Sequence, residues 1–383
     1  MALKREENPF VFGEVVSETA FVNRTEEVEQ LVRDLADGQK VFLLSPRRFG
    51  KSSLVSIVFQ RLKKQNVRTV MVPVSSYATY TQFLERFADK VLRAAGPWDK
   101  VKEWVSRFIG QVKPEAEVDL NTGEIKFSLG RGASSDPTPV APEVFALPGE
   151  VARKGQFRMA VCLDEFQQID TFNGGKVENA LRNAVQVQRE VGYVFAGSQP
   201  SLMEGMLSPK QPFHKAGPKL FLDKIQPEAW KEFISKQFER RGKSLTNAGL
   251  ERLLETADLI PYDVQRLAHE LWDYAELSGQ RALDVGQVDL ITRRLVMSQA
   301  QYYERQWEQL SLRQRGVLQA MAARGAAALY SQAVREEYRL GPASSVQKAL
   351  HSLDAQDILD RYQGMYFFLD PLFASWIRAN LGA

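Results

Sequence analysis

The chain has 383 residues, 44% hydrophobic and 25% charged, with 50 basic against 47 acidic side chains and a net charge of +3. At roughly 150 residues per domain this allows two or three domains, with enough chain to bury a core without disulfide or metal staples. The mix excludes a wholly disordered, collagenous or membrane-spanning protein, and the near-balance of charge gives no overall basic footprint for nucleic acid.

Cys162 is the single cysteine, and His214, His269 and His351 are the only histidines. One cysteine cannot close an internal disulfide, and these residues are too scattered for a zinc motif. The N-terminus has no apolar signal core and no run approaches about 18 apolar residues, so no membrane partner and a cytoplasmic location are expected.

In chain order, Val28, Leu31, Val32 and Leu35 mark one face of a helix, with Asn23 placed to cap it, Glu26 three residues on, and Gly38 to end it. Val41–Leu44 is a short apolar run, read as a buried strand. A helix follows from about Gly50 to Gln65, then a strand over Val67–Val74 and a helix over Thr81–Ala95. This alternation predicts an α/β fold with a mostly parallel sheet covered on both faces. Residues 113–148 break the pattern. Asp119–Gly123 reads as a turn before a strand at Ile125–Leu129, and glycine, serine and proline are dense over Gly130–Pro142, which predicts an inserted hairpin and flexible loop. Strand, helix and strand resume at Phe157–Leu163, Lys176–Glu190 and Tyr193–Ala196, with a fifth strand at Pro218–Leu222.

Beyond Pro227 strand signals nearly vanish. Helices are predicted from Pro227, over Thr246–Ala257, over Pro261–Ser278 and from Asp284 to about Gln309. From Leu310 the pattern is three helices, the last at Ser344–Ala355, then two short strands around Gln363 and Gly364, the order of a winged helix.

Ser45, Pro46, Arg47, Arg48, Phe49, Gly50, Lys51 and Ser52 follow the first apolar strand and open a helix. All but the first position match the phosphate-loop pattern G-x-x-x-x-G-K-[ST], with Ser45 in place of the first glycine. In such a turn the backbone N–H groups at the helix start converge on phosphate. Gly50 permits close approach, Lys51 reaches the β- and γ-phosphates, and the Ser52 hydroxyl can ligate Mg²⁺; Ser53 completes the stretch. Arg47 and Arg48 are either solvated loop charges or contacts to phosphate or a partner.

Met159–Leu163 is an apolar strand ending in Asp164 and Glu165, resembling a Walker B element. Asp164 would hold Mg²⁺ and Glu165 would polarise the attacking water. On its own the pair could equally start an ordinary loop; beside a phosphate loop it points to function. Cys162 within this strand reads as a core residue rather than a reactive thiol. Ser198 and Gln199, after the next strand, do not fit G-x-S-x-G. They are placed either to sense the γ-phosphate or water, or simply to turn the chain.

The segments Phe21–Glu27, Leu44–Ser53 and Leu163–Gln167 together resemble the archaeal-type ATPases of the STAND/AAA+ group of P-loop NTPases. Ile260–Trp272 resembles that group's helical-lid motif, and Phe368–Ile377 resembles the end of its winged helix. The resemblance implies a P-loop core of five parallel strands over residues 1–223, an all-α lid over 224–297 and a winged-helix domain over 298–383. It implies ATP and Mg²⁺ between core and lid, with Arg24 on the adenine side, Pro261 contacting nucleotide, and Arg266 as a second sensor or else a surface arginine. Where the group carries arginine before the fifth strand, Lys215 stands here, and lysine lacks the bidentate fork.

A winged helix beside such a core also resembles the archaeal origin-recognition initiators, which would bind DNA. Residues 1–215 hold 29 basic and 26 acidic side chains, residues 216–297 hold 12 and 13, and residues 298–383 hold 9 and 8, so no segment is strongly basic. The candidate recognition helix offers Ser345, Gln347, Lys348 and His351 but also Asp354. The expectation is an ATP-binding, slowly hydrolysing molecular switch with ATP and ADP as ligands. An ATP-regulated DNA-binding initiator stays open beside it, as does a nucleotide-binding scaffold with little turnover and a protein partner or a second copy.

Overall fold

Apolar runs at Val41–Leu44, Met159–Leu163 and Val191–Gly197 pack into the middle of a parallel sheet, buried on both faces. The computed structural model describes residues 8–95, 137–172, 176–362 and 364–381, and the backbone of 115–118 and 125–128. These fall into two compact units. A sheet unit comprises Arg24–Ser45 and the described residues of Lys51–Leu222; a helical unit comprises the described residues of Met1–Asn23, Pro46–Gly50 and Asp223–Ala383.

In the sheet unit the elements run α1 (Thr25–Ala36), β1 (Lys40–Leu44), α2 (Lys51–Lys64), β2 (Arg68–Pro73), α3 (Tyr80–Ala94), β3 (Glu115–Val118), β4 (Ile125–Ser128), α4 (Ala141–Gly155), β5 (Met159–Asp164), α5 (Lys176–Gln186), β6 (Val191–Gly197), α6 (Pro200–Met206) and β7 (Lys219–Phe221). The five-stranded sheet has the order β2-β5-β6-β1-β7, and every pairing in it is parallel. Leu44 pairs with Gly197, and Asp164 with Ala196, so the carboxyl ends of β1, β5 and β6 lie level. In open α/β sheets ligands bind at that edge. β3 and β4 form the expected antiparallel hairpin; the turn at 119–123 and the loop at 130–136 lie outside the described residues.

Two local expectations are corrected. Asn23 does not cap α1. Asn23 and Arg24 both have left-handed φ, at 57° and 61°, Arg24 is the N-cap, and no side chain caps the helix. The Arg24 carbonyl accepts from Val28 N at 3.0 Å, so the helix begins one residue later than the capping pattern implied. The predicted loop also stops short of Pro148, because α4 already begins at Ala141. Pro142 sits in its first turn, where no intrahelical donor is needed. Pro148 lies inside the helix, against its propensity. Burial of Val144, Phe145, Leu147, Val151 and Ala152 outweighs that cost, and Gln188 Nε2 donates to Phe145 O at 2.7 Å beside it.

In the helical unit, Phe10 inserts among Phe233, Phe238 and Trp272, with ring centroids 5.8–5.9 Å away. The helices are α7 (Pro227–Glu239), α8 (Asn247–Thr256), α9 (Pro261–Ser278), α10 (Val285–Ser298), α11 (Ala300–Glu308), α12 (Leu312–Arg324), α13 (Gln332–Glu337), α14 (Ala343–Ala355) and α15 (Pro371–Leu381). The single helix expected to Gln309 is two, because the chain breaks at Gln299, where φ is −109° and ψ is 5°. Two-residue strands β8 (Ser244–Leu245) and β9 (Ala282–Leu283) pair in parallel, and β10 (Leu359–Tyr362) and β11 (Met365–Phe368) form the antiparallel wing. Gln363 lies outside the described residues. One apolar core runs continuously from Phe10 through α7–α10 to Leu353, Phe373 and Ile377. Among the described residues no helix is long and apolar enough to cross a membrane.

Candidate functional site: a lysine–carboxylate cluster at the sheet's carboxyl edge

The chain leaves β1 at Leu44 and re-enters regular structure at Lys51, the first residue of α2. Gly50 has φ +89°, a conformation that costs a side-chain-bearing residue on the order of 1–2 kcal/mol. An added Cβ there would meet nothing within 4 Å among the described residues, so the cradle beside Gly50 is open there. Ser45 is fully buried, and its N–H donates to Gly197 O at 3.2 Å, tying the loop's start to the end of β6.

Lys51 is 6% exposed, yet it is the cation of a dense cluster. Its Nζ contacts Asp164 Oδ1 and lies 3.2 Å from Glu165 Oε1. Burial would lower the Lys51 pKa, but the two carboxylates more than offset it and hold the ammonium above its ordinary value. Asp164 ends β5, and its Oδ1 accepts from Glu165 N at 3.0 Å. Glu165 Oε2 accepts twice, from Ser198 Oγ at 2.5 Å and from Gln167 Nε2 at 2.6 Å. Burial pushes Glu165 up, while the Lys51 charge and the bonds from Ser198, Gln167 and Lys51 pull it down further, so it stays ionised below the usual carboxylate range. Ser52 is exposed at the start of α2, while Ser53 is buried.

Ser52, with a hydroxyl open to solvent, and Asp164, a strand-end carboxylate, are a hard oxygen pair of the kind that holds Mg²⁺ together with substrate phosphates. The open cradle at Gly50 and the buried cation at Lys51 fit a phosphate chain.

The structure brings together Lys51, Asp164, Glu165 and Ser198. Gln199 is not in the cluster: it is the N-cap of α6, its carbonyl accepts from Met203 N at 3.1 Å, and its side chain caps nothing. Arg24 is buried at the start of α1, with Nη1 3.6 Å from Glu27 Oε1. Cys162 is fully buried, and burial raises its thiol pKa, as a core residue requires. Gln167 was not singled out by sequence, although it sits in the Leu163–Gln167 segment. Only the 3₁₀ turn Phe166–Thr171 turns its side chain back onto Glu165.

In the helical unit, loop residues 46–50 spend their side chains on the C-terminal region. Arg47 Nη1 pairs with Asp357 Oδ2 at 2.7 Å. Arg48 Nη1 donates to Leu369 O at 3.1 Å, and its guanidinium lies 4.9 Å from the Tyr262 ring centroid. Phe49 is fully buried with Ile260, Phe367 and Leu369, its ring 5.7 Å from Tyr362 and 5.8 Å from Phe367. Both arginines are thus paired within the helical unit while still partly exposed, and the Phe49 side chain packs on the wing. Pro261 is buried in the first turn of α9. Arg266 is half-buried and lines a cavity of about 430 Å³ with Arg47, Arg48, Tyr262 and Asp370. With its amide oxygen turned toward the guanidinium, Gln299 accepts from Arg266 Nη1 at 2.9 Å.

Residues 301–379 match the model of a probable winged helix domain. No curated protein matches the chain in sequence. Among solved structures it is similar to the Walker-type ATPase Paby2304 of Pyrococcus abyssi, at TM-score 0.61 and 16% identity over 97% of this chain and 99% of that one. It is also similar to the ORC2 protein of Aeropyrum pernix in its ADPNP–ADP complexes, at TM-score 0.55 and 15% identity over 99% of both chains. Together with the all-parallel five-stranded sheet, these likenesses give the chain the fold of the AAA+ type of P-loop ATPases, with a winged helix domain at its C-terminal end.

Proposed function

We propose that this chain binds ATP with Mg²⁺, hydrolyses it slowly, and uses the nucleotide to change its conformation or assembly, as a molecular switch of the STAND kind. The observation that carries the reading is the convergence of Lys51, Asp164, Glu165 and Ser198 in one hydrogen-bonded cluster at the sheet's carboxyl edge. The residues divide the chemistry. Lys51, now neutralised by two carboxylates, would transfer its charge to the β- and γ-phosphates. Ser52 and Asp164 would hold Mg²⁺, whose charge offsets that of the phosphate oxygens. Glu165, kept ionised, would accept a hydrogen bond from the attacking water, and Ser198 would fix the carboxylate's position. The fold likeness to a Walker-type ATPase, and to a protein solved with ADPNP and ADP, supports the reading. Arg24, Pro261 and Arg266 remain proposed nucleotide contacts, and the division into core, lid and winged helix remains the proposed domain plan.

The test pairs calorimetry with phosphate release. Lys51→Ala should abolish ATP binding, whereas Glu165→Gln should keep binding and lose turnover. Unchanged ATP affinity in the Lys51 variant would remove the site assignment.

A second reading is an ATP-regulated DNA binder. The winged helix carries it: α14 exposes Gln347, Lys348 and His351, and the wing exposes Arg361. With so few cations, affinity for duplex should be weak and should fall with salt by roughly one log unit per phosphate contact for each log unit of salt. Absence of any shift on duplex at low salt would eliminate it.

A further inference from the structure

Glu165 has φ +53°, an uncommon left-handed conformation for a side-chain-bearing residue, and it opens the 3₁₀ turn Phe166–Thr171. Gln168 N donates to Glu165 O at 2.9 Å, closing that turn. The residue inside it, Gln167, is therefore folded back beside Glu165 rather than directed away along a helix. Gln167 is 6% exposed, and its Nε2 lies 2.6 Å from Glu165 Oε2.

The other half of the same amide is unsatisfied. Gln167 Oε1 is buried and makes no hydrogen bond among the described residues. Burying a carbonyl oxygen without a donor is costly, and an apolar side chain of similar length would fill the same space without that cost. A packing role does not account for glutamine here; the bond from Nε2 does. Gly197 makes room for it. A Cβ at Gly197 would lie 2.8 Å from Gln167 Oε1 and 2.3 Å from Met203 Cγ.

We propose that Gln167 is a positioning residue for hydrolysis, selecting which oxygen of Glu165 faces the attacking water. The inference rests on the assignment of Glu165 as the group that polarises water. Glu165 Oε2 already takes two donors, Ser198 Oγ and Gln167 Nε2, while among the described residues Oε1 is held only by Lys51 Nζ at 3.2 Å. Once Lys51 turns to phosphate, Oε1 alone is left without a donor and becomes the acceptor for the water proton. Gln167 and Ser198 keep Oε2 fixed, so the carboxylate neither rotates nor presents its other face. The loss of Gln167 leaves one donor and a carboxylate free to pivot about it.

The test uses the full chain and four proteins: wild type, Glu165→Gln, Gln167→Leu and Gln167→Met. Both Gln167 variants keep the volume and remove the orphaned oxygen, so each is expected to fold, and thermal melts check it. The expected result is ATP affinity within about threefold of wild type and a kcat lower by about 10- to 100-fold. A fall in kcat at nearly unchanged ATP affinity separates a positioning role from a general loss of structure, which would lower both. A folded Gln167→Leu or Gln167→Met variant with wild-type kcat, beside an inactive Glu165→Gln, overturns the role of Gln167 alone. Absence of turnover in wild type, or full activity in Glu165→Gln, overturns the assignment of Glu165 and this inference with it.

Discussion

Arg47, in the loop between β1 and α2, and Asp357, at the turn that leads into the wing, form an ion pair of 2.7 Å. A cation three residues before Gly50 is thus matched by a carboxylate far along the same chain. Both side chains remain well exposed, at 39% and 50%. The coupling is therefore expected to be small. A double-mutant cycle of Arg47→Ala and Asp357→Ala in urea should give about 1 kcal/mol or less, shrinking further in salt.

Phe49 next door is the opposite case. It is fully buried against Tyr362 and Phe367. Phe49→Ala should destabilise the nucleotide-free protein by about 3–5 kcal/mol, since it removes a buried ring and leaves a cavity. Denaturant unfolding measures this directly, and a loss as small as that at Arg47 would contradict the packing described.

Gly50 separates backbone from packing effects. Its φ of +89° disfavours any Cβ, while no described residue lies within 4 Å of where one would be. Gly50→Ala should cost on the order of 1–2 kcal/mol through the backbone alone. It should weaken ATP binding far more than it lowers stability, because the methyl group fills the open cradle. Calorimetry and melts on the same sample check the two effects.

Asp263 supplies a pH dependence. It is 1% exposed, and both carboxylate oxygens lack hydrogen bonds among the described residues. Arg48 Nη1 lies at 3.9 Å, the outer edge of an ion pair, which is too far to offset burial. Burial raises the carboxyl pKa to about 8, with Arg48 opposing and Asp370 assisting. The native state therefore holds one more proton than the unfolded chain between pH about 4 and about 8. The stability this gives is complete below pH about 4 and is lost as pH rises toward 8, at up to about 1.4 kcal/mol per pH unit. Asp263→Asn should flatten that slope and be more stable than wild type above pH 8. Urea midpoints measured from pH 4 to 9 test the sign.

Much of the sheet unit was legible because its signals are local. Val41–Leu44 and Met159–Leu163 are apolar runs with no polar alternation, the mark of strands covered on both faces. Gly50, Lys51 and Ser52 stand at a spacing that a strand-to-helix turn needs. Asp164 and Glu165 close the second run, and the structure places both on Lys51. Local rules failed where a distant contact won. Pro148 reads as a breaker, but burial of the helix face holds α4 through it. Asn23 reads as a cap, but left-handed φ at Asn23 and Arg24 moves the helix start to Thr25. The helix expected to run to Gln309 breaks at Gln299, whose amide faces Arg266.

By itself the sequence determined the alternating sheet unit, the strand-to-helix turn at Gly50 and Lys51, and the carboxylate pair that ends β5, since each depends on residues within one strand and one turn. Only the tertiary structure decided what those groups touch. Gln167 meets Glu165 because a 3₁₀ turn reverses its direction and Gly197 leaves it room. Phe49 meets Phe367 across more than three hundred residues, a contact that no local periodicity encodes. Periodicity reports which face of an element is buried; which partner buries it is settled by packing the whole chain.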